Sequence, residues 1–319
     1  MGGDHAPSAI VDGALAAAVQ LDIHVSLVGA PRAIEDALRQ VDLRSHPTCS
    51  DSDARERRVT IVDAPDVIDM SDRAAALRRK TGASIRVAAD LVARRDADAL
   101  VSAGHTGATV LACHAAFGMI AGVDRPALAT TFPTRERPAV LLDAGASVEC
   151  RPQHLLQFAA MGSVYAHVAL GVERPRVGLL SIGEEASKGN ELTREAHQLL
   201  KASRLNFIGN VEGREIYSGV ADVIVCDGFT GNVVLKTSEG LVEALQARLG
   251  DRLSDVFDYS EYGGAPLLGV AGLAVVCHGR SSAKAVRNAI AMANRFATTD
   301  FIRRVESEIA SAASSHLLH

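Results

Sequence analysis

The alternation of short apolar runs with segments of helical spacing constrains this chain more than any other feature of its sequence. Most of the runs are rich in β-branched residues and apolar nearly throughout, which is typical of strands covered on both faces. They predict strands at 23–29, 59–62, 97–102, 138–143, 176–181, 221–227 and 273–278. The intervening spacing predicts helices at 83–94, 152–170, 191–200 and 283–295. Strands alternating with helices predict an α/β protein with a mainly parallel sheet.

Length and patterning bound the domain organisation. A chain of 319 residues with 48% apolar content is long enough to bury a large core. No linker rich in Pro, Ser or Gly and no repeat of fixed period interrupts the alternation of elements. We therefore predict one two-lobed α/β domain over residues 1–319.

Charge and cysteine content exclude several classes of function. A net charge of −5 with 22% charged residues gives no basic footprint for a nucleic acid. The five cysteines form no CxxC pair, which favours a reducing, cytoplasmic compartment and argues against structural zinc. The longest apolar stretches, 107–122 and 265–277, are shorter than the ~20 residues that span a bilayer. We interpret both stretches as core elements.

Glycine turns follow five of the predicted strands. In an open parallel sheet such turns gather at the carboxyl ends of the strands, where helix N-termini present free N–H groups to an anion. Glycine also lets the backbone approach a ligand closely. One such turn is more often a compact connection, but five with many polar side chains predict a phosphate site. The turns are SAGHTGA from Ser102, DAGAS from Asp143, SIGEEASKGNE from Ser181, DGFTGN from Asp227 and CHGRSS from Cys277.

Two places carry candidate chemistry, one in these turns and one ahead of the first helix. Lys188 stands in a glycine turn of a chain that has five lysines against 28 arginines. A lysine there can place a compact positive charge on a phosphate or an oxyanion, whereas the alternative is an ordinary solvated loop lysine. Asp4 and His5 precede a helix entered through Pro7, where proton transfer, an anion contact or a helix cap are all open.

The remaining candidate residues differ in whether they lie in glycine turns or in apolar elements. His105 and His278 lie in glycine turns, which favours a ligand contact, whereas His114 lies inside an apolar helix and is predicted to be a core histidine. Asp227 serves equally well to fix its loop or to contact substrate. Cys277 ends an apolar strand and is predicted to be a buried thiol. Covalent catalysis is not required if bound phosphate itself attacks a thioester.

Long motifs along nearly the whole chain carry a family resemblance. They are MGGDHAP, SAGHTGA, DRPALA, LLDAGASVEC, QFAAMGSVYA, RVGLLSIGEE, KGNELT, NFIGNVEGRE, DVIVCDGFTGNVVLKTSEG and YSEYGGAPLLG. In this order they closely resemble the acyl-acyl-carrier-protein:phosphate acyltransferases, the PlsX family. The resemblance implies a three-layer α/β/α fold of the isocitrate/isopropylmalate dehydrogenase type, a homodimer, and no cofactor or metal.

The resemblance also implies a reaction and its partners. The reaction is reversible transfer of a fatty acyl group from acyl carrier protein to inorganic phosphate, which gives acyl phosphate for phospholipid synthesis. A membrane glycerol-3-phosphate acyltransferase would consume the product, so we expect a cytoplasmic enzyme that is peripheral at the inner face of the membrane. No nucleic acid is expected as a partner.

The resemblance assigns roles to the turn residues. Lys188 would steady negative charge, with Asp4, His5 and Asn232 as further catalytic candidates. The acidic carrier protein would dock on the helix bearing Arg78, Arg79 and Lys80, for which a solvated helix end is the alternative. The predicted substrate-binding residues are Gly2, Gly3, Ser102, His105, Thr106, Gly107, Gly183, Gly189, Asn190, Asp227, Gly228, Thr230, Gly231 and His278.

Three departures from the family pattern qualify these expectations. Relatives carry an apolar strand before MGGDHAP, so we expect the natural polypeptide to begin upstream of Met1. They commonly have Asn where this chain has His105, which leaves the role of that side chain open. The segment between Leu241 and Tyr259 is shorter than the helical hairpin of relatives, which weakens the case for membrane contact.

Three alternatives compete with this interpretation. The first is an acyltransferase that uses coenzyme A thioesters. The second is a metal- and nicotinamide-dependent dehydrogenase of the same broad fold, for which Asp222 and Asp227 are the available carboxylates. The third is a scaffold that binds acyl carrier protein without catalysis.

Overall fold

A computed structural model describes residues 1–41, 58–249 and 263–314 of the chain. The helices are α1 (Ser8–Leu21), α2 (Pro31–Gln40), α3 (Ser84–Ala93), α4 (Thr106–Phe117), α5 (Pro152–Leu170), α6 (Glu191–Ala202), α7 (Gly228–Leu249), α8 (Ala283–Thr298) and α9 (Phe301–Ser314). The strands are β1 (Val25–Gly29), β2 (Val59–Asp63), β3 (Ala99–Ser102), β4 (Ala127–Leu128), β5 (Thr130–Phe132), β6 (Ala139–Leu142), β7 (Val177–Ser181), β8 (Phe207–Glu212), β9 (Val223–Val225), β10 (Ala265–Leu268) and β11 (Leu273–Val276). The described residues also form 3₁₀ helices at Ala74–Arg78 and Gly213–Glu215.

The chain divides into two compact units that are interleaved in sequence. The first unit comprises Met1–Gly118, Tyr259–Ala265 and Gly272–Ala297. The second comprises Met119–Asp258, Pro266–Ala271 and Thr298–His319. Because the chain passes between the units several times, the sequence has no single boundary to mark with a linker. That both units act as one domain stays a prediction.

The first unit contains two pairs of parallel strands. In one pair β1 runs beside β2, with Val25 opposite Val59. In the other β3 runs beside β11, with Ala99 opposite Leu273. Side chains of α1 and α2 pack on β1 around Leu15 and Leu27, so apolar residues at helical spacing meet the apolar faces of the strands.

A cavity of about 430 Å³ lies within the first unit. It is lined by β1, β3 and apolar side chains of α1, α3 and α8, including Ile10, Ile85 and Ile290. Met1 and Gly3 also line this cavity. The expected strand ahead of Gly2 stays a prediction.

The second unit is built on a five-stranded sheet in the order β5-β6-β9-β7-β8. All neighbours in it are parallel except β5, which runs antiparallel to β6. The central strand β9 has helices on both of its faces. A side chain at Gly162 of α5 would meet Val223 at 2.6 Å, whereas Ile224 shares a cluster with Val234 and Leu235 of α7. This alternation produces the helix, sheet and helix layers of an α/β/α fold.

Most of the predicted elements are confirmed. All seven predicted strands and all four predicted helices are present, with ends displaced by a few residues. The strands β4, β5, β8 and β10 were not predicted. Runs of two to four residues, as in β4, β5 and β10, carry too little periodicity, and the run of β8 is interrupted by Gly209 and Asn210. Within the described part of the chain, no helix is both long and apolar enough to cross a membrane.

The prediction that His114 is a core histidine is wrong. Its side chain is exposed, while Ala108, Thr109, Ala112 and Cys113 form the buried face of α4. The helix is apolar on nearly all sides, so its sequence pattern does not tell which face is covered. Tertiary packing determines which face of α4 is buried.

Candidate active site

Three turns of the first unit that are distant in sequence lie together. The Asp4 amide donates to the Gly279 carbonyl at 2.8 Å, and the Cys277 amide donates to the Ser102 carbonyl at 2.8 Å. A side chain at Gly3 would lie 2.5 Å from the Ala103 carbonyl oxygen, so only glycine fits at that position. The structure thus brings the predicted residues at 2–5, 102–105 and 278 into one cluster.

Asp4 and His5 are exposed at this cluster. Helix α1 begins after Pro7 without a side-chain cap, so Asp4 does not act as its cap. The Asp4 carboxylate instead lies beside Gly279, where an added side chain would be 3.4 Å from Oδ2. Both side chains are therefore accessible to a ligand, and their catalytic roles stay predictions.

His105 caps α4 with its own ring. Nδ1 accepts from the Ala108 amide at 3.2 Å, and Nε2 lies 2.9 Å from the Asp72 carbonyl oxygen. Because a carbonyl only accepts, Nε2 carries the proton and the ring is a neutral tautomer in this arrangement. Both ring nitrogens are thus occupied within the protein, so the backbone of the turn is better placed than the ring to contact a ligand.

The neighbouring predicted residues also have structural partners. The Ser102 hydroxyl lies 3.1 Å from the Thr109 hydroxyl and accepts from the Gly104 amide. Gly107 lies beside the His105 ring, where an added side chain would be 3.3 Å from it. Thr106 begins α4 and is exposed.

His278 and Cys277 differ in exposure although they are adjacent. His278 is exposed, and its Nδ1 accepts from the Arg280 amide at 3.2 Å. Cys277 is buried, which raises the pKa of its thiol to about 12. The prediction of a buried thiol is therefore confirmed, and a thiol with that pKa carries almost no thiolate at neutral pH.

The predicted carrier-protein surface is only partly exposed. Arg78 ends a 3₁₀ helix, and both Arg78 and Arg79 are exposed. Lys80 instead donates to the Val67 carbonyl at 2.7 Å and to Asp72 Oδ2 at 2.8 Å. The Lys80 hydrogen bond lowers the pKa of Asp72. Lys80 therefore stabilises its own loop through these two hydrogen bonds. Arg78 and Arg79 carry the positive charge that is accessible to a partner.

A buried carboxylate organises the turns of the second unit. Asp143 is fully buried at the end of β6, and its Oδ1 accepts from the amides of Leu128, Gly145 and Ala146 at 2.8–2.9 Å. Its Oδ2 accepts from the Ser147 amide at 2.7 Å. Burial raises the pKa of Asp143, and these four hydrogen bonds act in the opposite direction.

The same carboxylate lies against the next turn. A side chain at Gly228 would be 2.6 Å from Asp143 Oδ2, and one at Gly231 would overlap the Asp143 carbonyl oxygen. These contacts require glycine at both positions. Our sequence reasoning did not single out Asp143, although an Asp followed by a glycine turn after a buried strand was the available signal.

Asp227 fixes the start of α7. Its Oδ1 accepts from the Thr230 amide at 2.9 Å, and its Oδ2 accepts from the Thr230 hydroxyl at 2.7 Å. Of the two roles left open for Asp227, the structure therefore provides the loop-fixing one. Asn232 is exposed one turn further along, and its amide donates to the Ala144 carbonyl at 3.4 Å.

Lys188 is exposed in the turn between β7 and α6. Its amide donates to the Glu185 carbonyl at 2.9 Å, and the side chain of Asn190 caps α6 by accepting from the Thr193 amide at 2.9 Å. Gly189 has a φ of 102°, a left-handed conformation that favours glycine. Among the residues that the structure describes, the Lys188 ammonium has no ion-pair partner, so its charge is available to an anion.

Large apolar side chains are exposed on the turns of the second unit. Phe229 and Val233 lie one helical turn apart on α7 and are 63% and 50% exposed. Val148 follows the Asp143 turn and Ile182 precedes Gly183, and both are exposed. Val148 and Phe229 lie on neighbouring turns, since the Gly228 amide donates to the Ser147 carbonyl at 2.9 Å, and clustered exposed apolar residues mark a binding surface more often than single ones do.

The carboxylates that the dehydrogenase alternative needs are engaged elsewhere. Asp222 is buried and pairs with Arg137 at 2.9 Å and with Arg176 at 3.0 Å. Burial acts to raise the pKa of Asp222, but the hydrogen bonds from Arg176 lower it below its ordinary value. Asp227 caps α7. Neither carboxylate is therefore free to hold an ion.

The fold and the turns define a class of protein, an α/β/α protein with glycine turns at its strand ends. A phosphotransacetylase from Streptococcus pyogenes has a similar fold, with a TM-score of 0.62 and 17% identity over 90% of this chain and 91% of that chain. A putative 4-hydroxythreonine-4-phosphate dehydrogenase from Salmonella typhimurium has a TM-score of 0.50 and 12% identity over 89% and 94%. At these identities the likeness concerns the fold alone, and it confirms the predicted fold class.

Sequence relatives then narrow the class to one family. The family model described as fatty acid synthesis protein matches residues 1–256 and 248–304. A phosphate acyltransferase of Heliobacterium modesticaldum is 48% identical over 97% of this chain and 96% of its own length, and one of Syntrophotalea carbinolica is 49% identical over 92% and 87%. The chain belongs to this phosphate acyltransferase family and is an acyltransferase of fatty acid and lipid synthesis.

Proposed function

We propose that this enzyme reversibly transfers a fatty acyl group from the thioester of acyl carrier protein to inorganic phosphate and releases acyl phosphate for phospholipid synthesis. The observation that carries the proposal is the near full-length likeness to phosphate acyltransferases in a chain whose Lys188 is exposed in a glycine turn and forms no ion pair with the residues that the structure describes. The exposed apolar residues Phe229 and Val233 near those turns suit a fatty acyl chain.

The chemical step needs few protein groups. A phosphate oxygen attacks the thioester carbonyl carbon and forms a C–O bond, the carbonyl oxygen becomes an oxyanion, and the C–S bond then breaks to release the carrier thiolate. The phosphate dianion is already deprotonated at neutral pH, so no general base is required for attack. Catalysis then depends on positioning and on stabilising the oxyanion.

The proposed roles follow from exposure. Lys188 and Asn232 supply positive charge and an amide donor to the negative groups of the reaction. The hydrogen phosphate dianion still carries one proton, which the acyl phosphate loses and the leaving thiolate gains, and Asp4 and His5 are the candidates for passing that proton on. The backbone amides at the starts of α4 and α7 are candidates for phosphate contacts, since helix N-termini favour anions.

The setting of the reaction belongs to the same proposal. Arg78 and Arg79 would receive the acidic carrier protein, the enzyme would act as a cytoplasmic homodimer, and acyl phosphate would pass to a membrane glycerol-3-phosphate acyltransferase. Peripheral contact with the inner face of the membrane would shorten that transfer. The segment expected to mediate membrane contact lies mostly outside the described residues.

Phosphate-dependent thiol release from a long-chain acyl carrier protein tests the function. The purified chain is incubated with acyl carrier protein thioester and with the matching coenzyme A thioester, each with and without phosphate. We expect release that requires phosphate and is faster with the carrier protein. Equal or faster release with coenzyme A would favour the coenzyme A alternative, and binding without release would favour the scaffold.

A further inference from the structure

A buried pair of polar side chains lies beneath the turn that carries Lys188. His197 on α6 and Asn210 on β8 are each only 9% exposed. His197 Nδ1 lies 2.9 Å from Asn210 Oδ1, and the imidazole also packs edge-on against Phe207 with 5.0 Å between ring centroids. A buried pair of this kind costs free energy unless all of its hydrogen bonds are made.

Asn210 uses its whole amide group. Its Nδ2 donates to the Gly183 carbonyl at 3.2 Å and to the Glu185 carbonyl at 2.9 Å. Since both partners only accept, the nitrogen of the amide must face the turn and the oxygen must face His197. His197 Nδ1 therefore carries a proton and donates to Asn210, which holds the amide in the one orientation that serves both carbonyls.

The two carbonyls belong to the backbone that shapes the Lys188 turn. Glu185 O also accepts from the Lys188 amide at 2.9 Å. An added side chain at Gly183 would lie 2.8 Å from Lys188 Cγ, so the stem of the lysine runs over this glycine. Asn210 thus ties down the backbone beneath Lys188 and against its stem, while the ammonium stays exposed.

We propose that His197 and Asn210 are positioning residues that hold Lys188 where it acts on the negative charge of the reaction. The inference rests on the proposed function, because it assigns to the pair the placement of a group used in acyl transfer. A displacement of about 1 Å in a charged group can cost on the order of a hundredfold in rate. Neither side chain needs to touch substrate.

The decisive experiment measures whether the effect of changing Asn210 on turnover depends on the presence of Lys188. Turnover is measured for the wild-type enzyme, Asn210→Asp, Lys188→Ala and the double variant. A carboxylate at position 210 loses both donors and repels the two carbonyls, so we expect turnover to fall about tenfold or more. In the Lys188→Ala background we expect Asn210→Asp to have almost no further effect, because both changes remove the same contribution.

Matched variants separate positioning from folding. Asn206→Asp is the control, since Asn206 donates to the Arg174 carbonyl at 3.3 Å at the entry to β8, away from this turn. His197→Leu removes the donor but keeps the Asn210 donors, and is the second variant if Asn210→Asp does not fold. We expect His197→Leu to reduce turnover less than Asn210→Asp, and His197→Gln, which restores a donor, to recover part of the loss.

Hydrogen exchange over residues 183–190 provides a readout that does not need activity. We expect faster exchange there in Asn210→Asp and no change in Asn206→Asp. Unchanged exchange, or a loss of turnover that persists in full in the Lys188→Ala background, would overturn the positioning role. If wild-type enzyme releases no thiol with phosphate, the proposed function fails while the exchange result still decides whether the pair holds the turn.

Discussion

Lys80 in the first unit and Lys188 in the second show how differently two lysines singled out in one sequence can be placed. Lys80 donates to the Val67 carbonyl and to Asp72, so its ammonium stabilises its own loop. Lys188 lies in a turn that buried groups hold from beneath, and its ammonium is exposed. A turn whose backbone is held by hydrogen bonds from other residues can therefore leave its own charged side chain exposed to a ligand.

The turns of both units have a helix cap from their own side chains, but among the described residues only those of the second have a buried carboxylate beneath them. In the first, His105 caps α4 and holds Asp72 with its own ring. In the second, the buried Asp143 accepts four backbone amides, and Asp227 caps α7. The following changes test this contrast.

Lys188→Ala is expected to have the largest effect. We expect turnover to fall roughly a hundredfold or more, the loss typical of removing one oxyanion-stabilising group, with an unchanged melting temperature. Steady-state kinetics at saturating phosphate measure it. Lys236→Ala is the matched control, since Lys236 is exposed in the same unit and pairs with Glu239. Equal turnover in the two variants would remove Lys188 from the mechanism.

Asp143→Asn tests the buried support of the second unit. An amide nitrogen cannot accept from the Ser147 amide that Asp143 Oδ2 now binds at 2.7 Å, so two donors would face each other. We expect the free energy of unfolding to fall by about 2 kcal/mol, as for other buried polar groups left unsatisfied. Chemical denaturation measures this. A stability equal to that of the wild-type enzyme would show that the turns do not depend on the carboxylate.

Arg78→Glu with Arg79→Glu tests the exposed charges of the first unit. Rim charges act mainly on encounter, so we expect the Michaelis constant for acyl carrier protein to rise roughly fivefold and its salt dependence to weaken. Turnover should change little. Arg32→Glu with Arg39→Glu on α2 is the control, since it changes the net charge by the same amount at two other exposed arginines of the first unit. An unaltered salt profile would place carrier docking elsewhere. Adding Lys80→Glu should lower stability as well, because Lys80 has internal partners.

His105→Asn is expected to have the smallest effect. Asparagine is itself a good N-cap residue, so α4 keeps a cap, but the contact with the Asp72 carbonyl is lost. We expect the free energy of unfolding to change by less than about 1 kcal/mol and turnover by less than threefold. A large loss of turnover would mean that the ring itself contacts substrate.

Much of the fold could be predicted from the sequence because it depends on local pattern. The strands β1, β7 and β9 are apolar runs, and α5 follows its helical spacing from Pro152 to Leu170. Cys277 is buried because it ends such a run. The long motifs placed the chain in its family, whereas anion binding at the glycine turns stays a prediction.

The tertiary structure determines which side chains of the turns are accessible to a ligand and which are engaged in internal hydrogen bonds. Hydrogen bonds join Asp143 to Leu128, His197 to Asn210, and Lys80 to Asp72. The sequence pattern does not indicate that these pairs of residues come together in the folded chain. His114 is exposed for the same reason, since an apolar helix does not specify its covered face. A hydrogen bond needs its two atoms within about 3 Å, and only the packed chain sets that distance.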